Sequence, residues 1–527
     1  MSGRPSTARA ASVVGFFVMI SRVLGLLRET LFAYFFGASA LASVFINAFR
    51  IPNLLRDLFA EGALSTAFVT TFTKKAHQEG ETAAWRLANM VFNSLLIILG
   101  IIVILGIFLS PQIVEWIAPR FEPENKRLMS LLLQIMFPFI LLVSFAALSM
   151  GILNTRNIFG VPASASSFFN IGSIVFGFGL GGWLDPSWGA RAMIGVAIGV
   201  LIGGLLQWLI QAPSLWKVGY RYKPILNWKD PGLREVGILM GPAIIGTAAT
   251  QVNVLVNTIF ANYISEEAAS HLYYAFRFLQ LPIGVFGVAV GTAMLPNLSR
   301  SVASKNEGEF KDILNHSLQL VVFLCLPATI GLWVLGESIV GTIYQVGGKF
   351  NREATVMTAQ VLSAYAVGLL AYSVLKIIIP AFYALGSSVK PTCVSLAAIG
   401  VNLGLNYLIT LKMGKGETGL ALVTSFVVIS NACVLVYLLS CQVRGWNLWP
   451  VVVTFLKVCV AAGVMGLSAW GIHSLWMIHI GIETWIQRLL DLGLSMGCCL
   501  STYYLACKLL KISELEDFTG LIKRRLR

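Results

Sequence analysis

Five arginines stand inside segments that are otherwise apolar, and they are the side chains of this sequence best suited to binding chemistry. They are Arg22 and Arg28 in a segment at 11–36, Arg50 and Arg56 in a segment at 40–73, and Arg277 in a segment at 268–299. An arginine presents a planar fork of donors that matches the oxygens of a phosphate, and it stays charged at any physiological pH. These residues therefore predict a site for an anion that carries several oxygens.

Acidic residues accompany the arginines but do not balance them. Glu29, Asp57 and Glu61 share the first two segments, which leaves the five arginines with an excess of two positive charges. Such a site attracts an anion and repels a cationic drug. On an ideal helix Arg22 and Glu29 share a face, whereas Arg28 points away from it. We expect Gly25 to allow a bend in the first helix, and Pro52 predicts a break in the second.

The composition indicates the environment in which these arginines lie. Of 527 residues, 57% are apolar and 12% are charged, and the mean hydropathy is +0.79. A soluble protein carries roughly 25% charged residues. Because the apolar runs are continuous rather than alternating, they favour membrane helices over a barrel. Five arginines in hydrocarbon would cost on the order of 10 kcal/mol, so they must face the protein interior or water.

The chain contains fourteen segments long enough to cross a bilayer, which takes about 20 mostly apolar residues. We therefore predict an all-α membrane protein with about fourteen transmembrane helices. The first, second, seventh and eighth segments are the least apolar. The candidate spans are 11–36, 40–73, 86–109, 127–153, 163–183, 190–213, 235–262, 268–299, 313–335, 354–383, 391–410, 418–440, 450–472 and 486–508.

The positive charges predict how the chain is oriented. The formal net charge is +14, which we attribute to anionic phospholipids rather than to nucleic acid. With both termini in the cytoplasm, 22 of the 38 lysines and arginines fall in inside segments and nine in outside segments. The positive-inside rule then predicts cytoplasmic termini.

An internal repeat predicts two lobes. Phe49-Arg50 and Phe276-Arg277 lie 227 positions apart, and Pro162 and Pro391 lie 229 apart. Repeats six spans apart have the same orientation, so an axis along the membrane normal would relate them. We predict an N-terminal lobe at 1–216 with spans 1–6, a cytoplasmic linker at 217–234, and a C-terminal lobe at 235–441 with spans 7–12. The remaining segment, 442–527, would hold two extra spans and a basic cytoplasmic tail.

The sequence gives no sign of other chemistry. It lacks a GxxxxGK[ST] phosphate loop, so ATP is not expected to drive movement, and no catalytic or metal constellation indicates an enzyme. The five histidines are scattered near span ends, and we interpret them as interface residues. Asn402 and Asn406 share a helix face and could coordinate a small cation, although hydrogen bonds between helices are the favoured interpretation.

Several motifs resemble the MurJ (MviN) lipid II flippases, which belong to the MATE-like MOP exporter superfamily. The resemblance extends over the whole chain. The motifs are Ser21-Arg22-Val-Leu-Gly25-Leu-Leu-Arg28-Glu29, Ala48-Phe49-Arg50-Ile-Pro52-Asn53-Leu-Leu-Arg56, Phe59-Ala-Glu61-Gly62-Ala63-Leu-Ser65, Gly151-Ile-Leu-Asn154, Tyr273-Tyr274-Ala-Phe-Arg277, Leu281-Pro282-Ile-Gly284 and Pro380-Ala-Phe382-Tyr383.

The resemblance implies a transporter of the bacterial inner membrane. It would move lipid II, the undecaprenyl-pyrophosphate-linked precursor of peptidoglycan, from the cytoplasmic to the periplasmic leaflet by alternating access. The two extra spans would form a groove for the prenyl tail. We expect a monomer, associated in the cell with the cell-wall synthesis machinery. The implied substrate-binding residues are Arg22, Arg28, Glu29, Arg50, Asn53, Arg56, Glu61, Ser270 and Arg277.

The driving force and the substrate leave alternatives open. Some relatives bind Na⁺ with acids where Asn257 and Asn406 stand here, so sodium coupling through Asn257, Asn402 and Asn406 is in doubt and membrane potential is the other candidate. No further cofactor is expected. The alternatives are a flippase for another lipid-linked oligosaccharide, a MATE-like cation-coupled drug antiporter, and a non-transporting scaffold for cell-wall enzymes.

Overall fold

The computed structural model describes residues 7–59 and 63–516, and every regular element within these ranges is a helix. The predicted all-α class is therefore confirmed. The chain forms two compact units, Met1–Ala269 and Ser270–Arg527.

The first unit contains eleven α-helices in its described residues, and a π-helical turn at Ser173–Phe178 joins α7 to α8. The helices are α1 (Thr7–Phe36), α2 (Ala40–Phe59), α3 (Ala63–Gln78), α4 (Glu81–Ile117), α5 (Pro123–Met136), α6 (Phe139–Thr155), α7 (Gly160–Gly172), α8 (Gly179–Leu184), α9 (Ala190–Leu209), α10 (Ala212–Lys217) and α11 (Pro231–Ile264).

The second unit contains ten α-helices within its described part. π-Helical turns at Ile283–Val288 and Tyr407–Lys412 follow α12 and α18. The helices are α12 (Ala268–Pro282, which begins two residues before the unit), α13 (Ala289–Ala303), α14 (Glu307–Val334), α15 (Gly336–Ile343), α16 (Arg352–Ala366), α17 (Leu369–Ala384), α18 (Val389–Asn406), α19 (Gly416–Gln442), α20 (Trp449–His479) and α21 (Trp485–Leu509).

Ten helical segments of the described chain are long and apolar enough to cross a membrane, and α16 with α17 makes an eleventh if this pair, bent by 42°, is one span. The eighth predicted segment is among the ten, so the expectation that it is weakly apolar is wrong. Helix α1 runs without interruption through Gly25, and the bend expected there stays a prediction. The break predicted at Pro52 is absent, because α2 continues through this residue to Phe59. A proline lacks the amide proton of one helical bond, but the neighbouring turns of α2 remain helical.

Glycines hold α9 against the segment formed by α7, the π-helical turn and α8. A Cβ atom on Gly199 would lie 2.2 Å from the Cα atom of Gly177, and one on Gly195 would lie 2.3 Å from the backbone nitrogen of Gly181. These distances are far below van der Waals contact. Backbones that approach this closely gain dispersion energy where lipid provides no hydrophobic driving force between helices. The spacing of Gly195 and Gly199 follows the small-xxx-small pattern.

The predicted linker at 217–234 is bound to α4 through the side chain of Asn89. Asn89 Nδ2 donates to the carbonyl of Arg221 at 3.1 Å, and Asn89 Oδ1 accepts from the amide of Lys223 at 2.8 Å. The buried hydroxyl of Tyr220 donates to the same oxygen at 3.1 Å. Burial raises the pKa of Tyr220, which keeps this hydroxyl protonated and able to donate.

One turn along α4, Asn93 binds the next part of the linker. Asn93 Nδ2 donates to the carbonyls of Lys223 at 3.0 Å and Ile225 at 2.9 Å, and Asn93 Oδ1 accepts from the hydroxyl of Tyr222 at 2.8 Å. Side-chain amides offer donors and an acceptor at once, so two of them can satisfy an extended backbone that has no sheet partner.

The end of the linker starts α11. Asp230 is the N-cap of this helix, accepting from the amides of Gly232 at 2.9 Å and Leu233 at 3.3 Å, and Pro231 follows it at the first position. Lys75 at the end of α3 forms an ion pair with Asp230 at 3.3 Å. Helix α11 packs with α2, α3 and α4 and so belongs to the first compact unit. The division by packing thus lies further along the chain than the 217–234 linker; the assignment of lobes by repeat stays a prediction.

The second unit is built around α14, which packs against α13, α17 and α20. Its main core joins fully buried aliphatic side chains such as Leu314, Ile377 and Leu435. Helix α21 packs on α20, and Cys507 of α21 lies in a smaller apolar cluster with Val458 of α20. The two C-terminal helices are therefore integral to this unit.

Candidate functional site

Arg28 and Glu29 lie beside one another where α1 meets α7. Arg28 is half-buried, its Nη2 lies 3.6 Å from Glu29 Oε1, and Glu29 is only 8% exposed. The guanidinium of Arg28 lies 5.2 Å from the ring centre of Phe169. Next to this ring, Asn170 Nδ2 donates to the carbonyl of Ser21 at 3.1 Å and ties the two helices together. An ion pair at 3.6 Å is longer than a hydrogen bond, so it offsets the charge of Arg28 while leaving its donors for a ligand.

Arg56 is held more tightly, by Asp57 on the same helix. Its Nη2 and Nε atoms donate to Asp57 Oδ1 at 2.7 and 3.1 Å. The other carboxylate oxygen of Asp57 accepts from Gln251 Nε2 of α11 at 2.9 Å. This chain of contacts fixes the direction of the guanidinium and joins α2 to α11 at a polar point inside apolar segments.

The remaining predicted residues of the first unit differ in exposure. Arg22 is exposed, whereas Arg50 and Asn53 are half-buried. Glu61 lies outside the described residues. Arg50 precedes Asn53 by three positions on α2, so the two share a face of that helix.

In the second unit, Arg277 is positioned by its own helix. Its Nη2 donates to the hydroxyl of Tyr273 at 2.7 Å and its Nη1 donates to Gln280 Oε1 at 3.2 Å. The guanidinium carbon lies 4.8 Å from the centre of the Tyr273 ring. Spacings of four and three residues place all three side chains on one face of α12. Ser270, one turn before Tyr273, is fully buried.

The amide cluster predicted as a cation site is partly assembled. Asn402 and Asn406 are both fully buried on α18, and Asn406 Nδ2 donates to Asn402 Oδ1 at 3.2 Å. This bond lies within one helix rather than between helices. Asn257 is half-buried on α11, in the first unit. Sodium binding by these residues stays a prediction.

Two buried acid–histidine pairs escaped the sequence interpretation, which placed the histidines at membrane interfaces. His271 Nδ1 lies 2.7 Å from Glu417 Oε2, and both residues are buried. His473 Nδ1 lies 2.8 Å from Oδ2 of Asp491, which is 0% exposed and also accepts from the hydroxyl of Ser338 at 3.0 Å. These two histidines pair with acids inside the protein, and their position at a membrane interface stays a prediction. An acid inside the predicted span 486–508 was the available signal for Asp491.

Two of the four predicted arginines of α1 and α2 lie against a carboxylate, Arg28 beside Glu29 and Arg56 beside Asp57. The positive residues Arg22, Arg28, Arg50 and Arg56 exceed the acids Glu29 and Asp57 by two charges. A surplus of guanidinium groups on apolar helices suits an anion with several oxygens, because each group can donate two parallel hydrogen bonds.

Known proteins resemble this chain in sequence and in structure. A family model described as lipid II flippase MurJ matches residues 32–489. A probable lipid II flippase MurJ of Vibrio cholerae is 33% identical over 524 residues, which cover 97% of each chain. The solved structure of a lipid II flippase MurJ in the inward closed conformation matches with a TM-score of 0.77 at 26% identity, covering 94% of this chain and 99% of that one.

A more distant similarity concerns the fold alone. An inward-facing multidrug resistance transporter of the MATE family, in the MOP superfamily, matches with a TM-score of 0.69 at 13% identity, covering 82% of this chain and 98% of that one. The resemblance inferred from the arginine motifs is confirmed. This chain is a multi-pass membrane protein and belongs to the lipid II flippase MurJ family.

Proposed function

We propose that this protein moves lipid II from the cytoplasmic to the periplasmic leaflet of the bacterial inner membrane. The observation that carries the proposal is the surplus of arginines on membrane helices in a chain of this family. The head group of lipid II joins to its prenyl chain through a pyrophosphate, and a pyrophosphate offers several oxygens to guanidinium donors. The protein acts as a transporter and not as an enzyme.

The topology that fits this function has fourteen spans and cytoplasmic termini. Eleven spans come from the ten qualifying segments and the bent pair of α16 and α17. Helix α1, the pair α2–α3, and α11 complete the fourteen, and α1 and α2 carry the arginines that depart from a purely apolar composition. The predicted repeat is supported by two π-helical turns, one after α7 and one after α18. Pro162 in α7 and Pro391 in α18 are the residues through which the repeat relates these two helices.

The substrate-binding roles follow from the contacts of each side chain. Arg28 in the first unit is a ligand for the head group, because its guanidinium group lies against the ring of Phe169, which orients it. Arg277 in the second unit is assigned the same role on its own contact with the ring of Tyr273. Arg22 and Arg50 attract the anion. Arg56 is a positioning residue, since Asp57 already accepts two of its hydrogen bonds.

Membrane potential is the driving force that agrees best with the side chains. The oxygen of Asn402 already accepts from Asn406, and a neutral pair of amides offers no charge for Na⁺. One charge that crosses 100 mV gains about 2.3 kcal/mol. The two helices α20 and α21 form the groove for the prenyl tail, and their exposed faces carry large apolar side chains such as Leu467 and Leu500.

Removal of single guanidinium groups tests the proposal. Arg28→Ala and Arg277→Ala should each weaken head-group binding by about 10- to 150-fold, because a hydrogen bond to a charged group contributes about 1.5–3 kcal/mol. Arg191→Ala, on an exposed arginine, is the matched control. Transport is measured by the accessibility of labelled lipid II in the outer leaflet of cells that depend on the variant. Normal transport by both the Arg28→Ala and the Arg277→Ala variant at normal expression would contradict the assignment.

A further inference from the structure

A polar cavity lies in the second unit where α20 begins and α21 ends. Its volume is about 240 Å³, which is below the roughly 300–1,000 Å³ of sites that enclose a drug-sized ligand. Its size therefore suits a head group rather than a whole substrate. The polar residues that line it are Gln319, Thr454, Lys457, Lys511, Ser513 and Glu514.

Two lysines and one buried acid supply the charges that line the cavity. Lys511 is exposed and Lys457 is half-buried, whereas Glu514 is 2% exposed. Both oxygens of Glu514 are occupied, since the hydroxyl of Thr454 donates to Oε1 at 3.3 Å and the hydroxyl of Ser513 donates to Oε2 at 3.1 Å. The two lysines therefore face the cavity with an excess of one positive charge.

Lys457 and the start of α20 add to the positive potential. The ammonium group of Lys457 donates to the carbonyl of Lys511 at 3.5 Å, the outer limit of a hydrogen bond, and it has three donors. Pro450 and Thr454 of the first turns of α20 also line the cavity. The N-terminus of a helix of 31 residues carries a partial positive charge that favours an anion.

Lys511 has a backbone conformation that glycine usually adopts. Its φ angle is +48°, in the left-handed region that favours glycine. It follows the end of α21, where the amide of Ile512 donates back to the carbonyl of Cys507 at 3.1 Å. Glycine is the usual residue at this place in a helix C-cap. Replacement of Lys511 by glycine therefore removes the side chain without straining the backbone.

The surroundings of the cavity indicate an amphiphilic ligand. Trp449 at the start of α20 is exposed, and exposed tryptophans gather at the boundary between lipid and water. Leu456 of α20 and Leu509 of α21 are exposed as well, on helices that qualify as membrane spans. A ligand whose phosphate enters the cavity would therefore have its acyl chains against apolar surface.

We infer that this cavity binds the phosphate head group of an anionic phospholipid. The ammonium groups of Lys457 and Lys511 attract the phosphate and donate to its oxygens, and the acyl chains lie against the exposed side chains of Leu456 and Leu509. The site is distinct from the arginines of α1, α2 and α12. It makes the packing of the two C-terminal helices responsive to the charge of the surrounding lipid.

Native mass spectrometry of the full-length protein in detergent, with added phosphatidylglycerol, tests this inference. Lys511→Gly removes the ammonium group while suiting the left-handed backbone, so it should fold at least as well as the parent. Loss of one lysine should weaken the tightest phosphatidylglycerol site by about fivefold, and Lys457→Gln should do the same. Lys508→Gln, an exposed lysine that does not line the cavity, is the matched control and should bind normally.

The alternative ligands give separate outcomes. Phosphatidylcholine should bind at least fivefold more weakly than phosphatidylglycerol, and inorganic phosphate should not displace the lipid at equal concentration. Unchanged phosphatidylglycerol binding in Lys511→Gly would overturn the inference. Binding of inorganic phosphate as tight as that of the lipid would overturn the lipid assignment in favour of a free anion.

Discussion

Replacing Asn89 by alanine should release the linker that follows α10. The change removes three hydrogen bonds between α4 and the linker, those to the Arg221 carbonyl, the Lys223 amide and the Tyr220 hydroxyl. A hydrogen bond contributes about 0.5–1.5 kcal/mol net, so the three together hold this segment by about 1.5–4.5 kcal/mol. Because Asn89 and Tyr220 are buried, water replaces these bonds poorly, and we expect a value in the upper half of the range.

Hydrogen exchange measures this release directly, because the amide of Lys223 is itself one of the donors. A factor of ten in an equilibrium corresponds to about 1.4 kcal/mol, so the upper half of this range predicts that exchange at Lys223 accelerates by about 150- to 2,000-fold in Asn89→Ala. Tyr220→Phe removes one bond alone and should accelerate exchange by about two- to tenfold. Leu96→Ala, on an exposed position of the same helix, is the control. An unchanged exchange rate at Lys223 in Asn89→Ala would refute the role given to this side chain.

Two further substitutions test the packing of the helices. Gly199→Ala should destabilise the protein by about 3 kcal/mol, since its Cβ would meet the backbone of Gly177 at 2.2 Å. Gly100→Ala, where a Cβ meets no atom within 4 Å, is the control and should be neutral or stabilising in the same thermal unfolding assay in detergent. Equal melting temperatures for the two variants would argue against the close contact. Asp491→Leu should lower the free energy of unfolding by about 3–5 kcal/mol, because it leaves His473 without its buried partner. We expect the double variant with His473→Leu to recover part of this loss. No recovery would contradict pairing of the two side chains.

The sequence was sufficient to predict the helical class. It also singles out candidate ligands for an anion, because arginines in apolar segments are rare and costly, and their binding role stays a prediction. Arg28 and Arg277 stand out because each is a charged residue in a mostly apolar segment. Their immediate partners are also close in sequence, since Glu29 and Tyr273 lie within one helical turn of them. Local spacing therefore carries much of the information about these two side chains.

Contacts between distant segments could not be predicted in the same way. Asn89 looks like any polar residue near the end of a span, and its partners lie more than 130 positions further along the chain. Nothing in the pattern distinguishes an asparagine that binds a backbone from one that faces another helix. His473 and Asp491 are 18 residues apart on two helices, and their meeting depends on how α20 turns back into α21. The register of two packed helices is decided by side-chain fit, which periodicity does not encode.

The glycine contact between α9 and the segment α7–α8 limits how the first unit can deform. Two helices whose backbones touch cannot slide by one residue, because a side chain would have to enter space that admits a hydrogen atom and little more. Helix α9 and the segment α7–α8 must therefore move together as one rigid body. Any deformation of this unit during a transport cycle must occur at helix interfaces lined by leucine, methionine or phenylalanine, because these side chains can change rotamer. The size of the side chains at each helix interface thus decides which parts of this unit can deform.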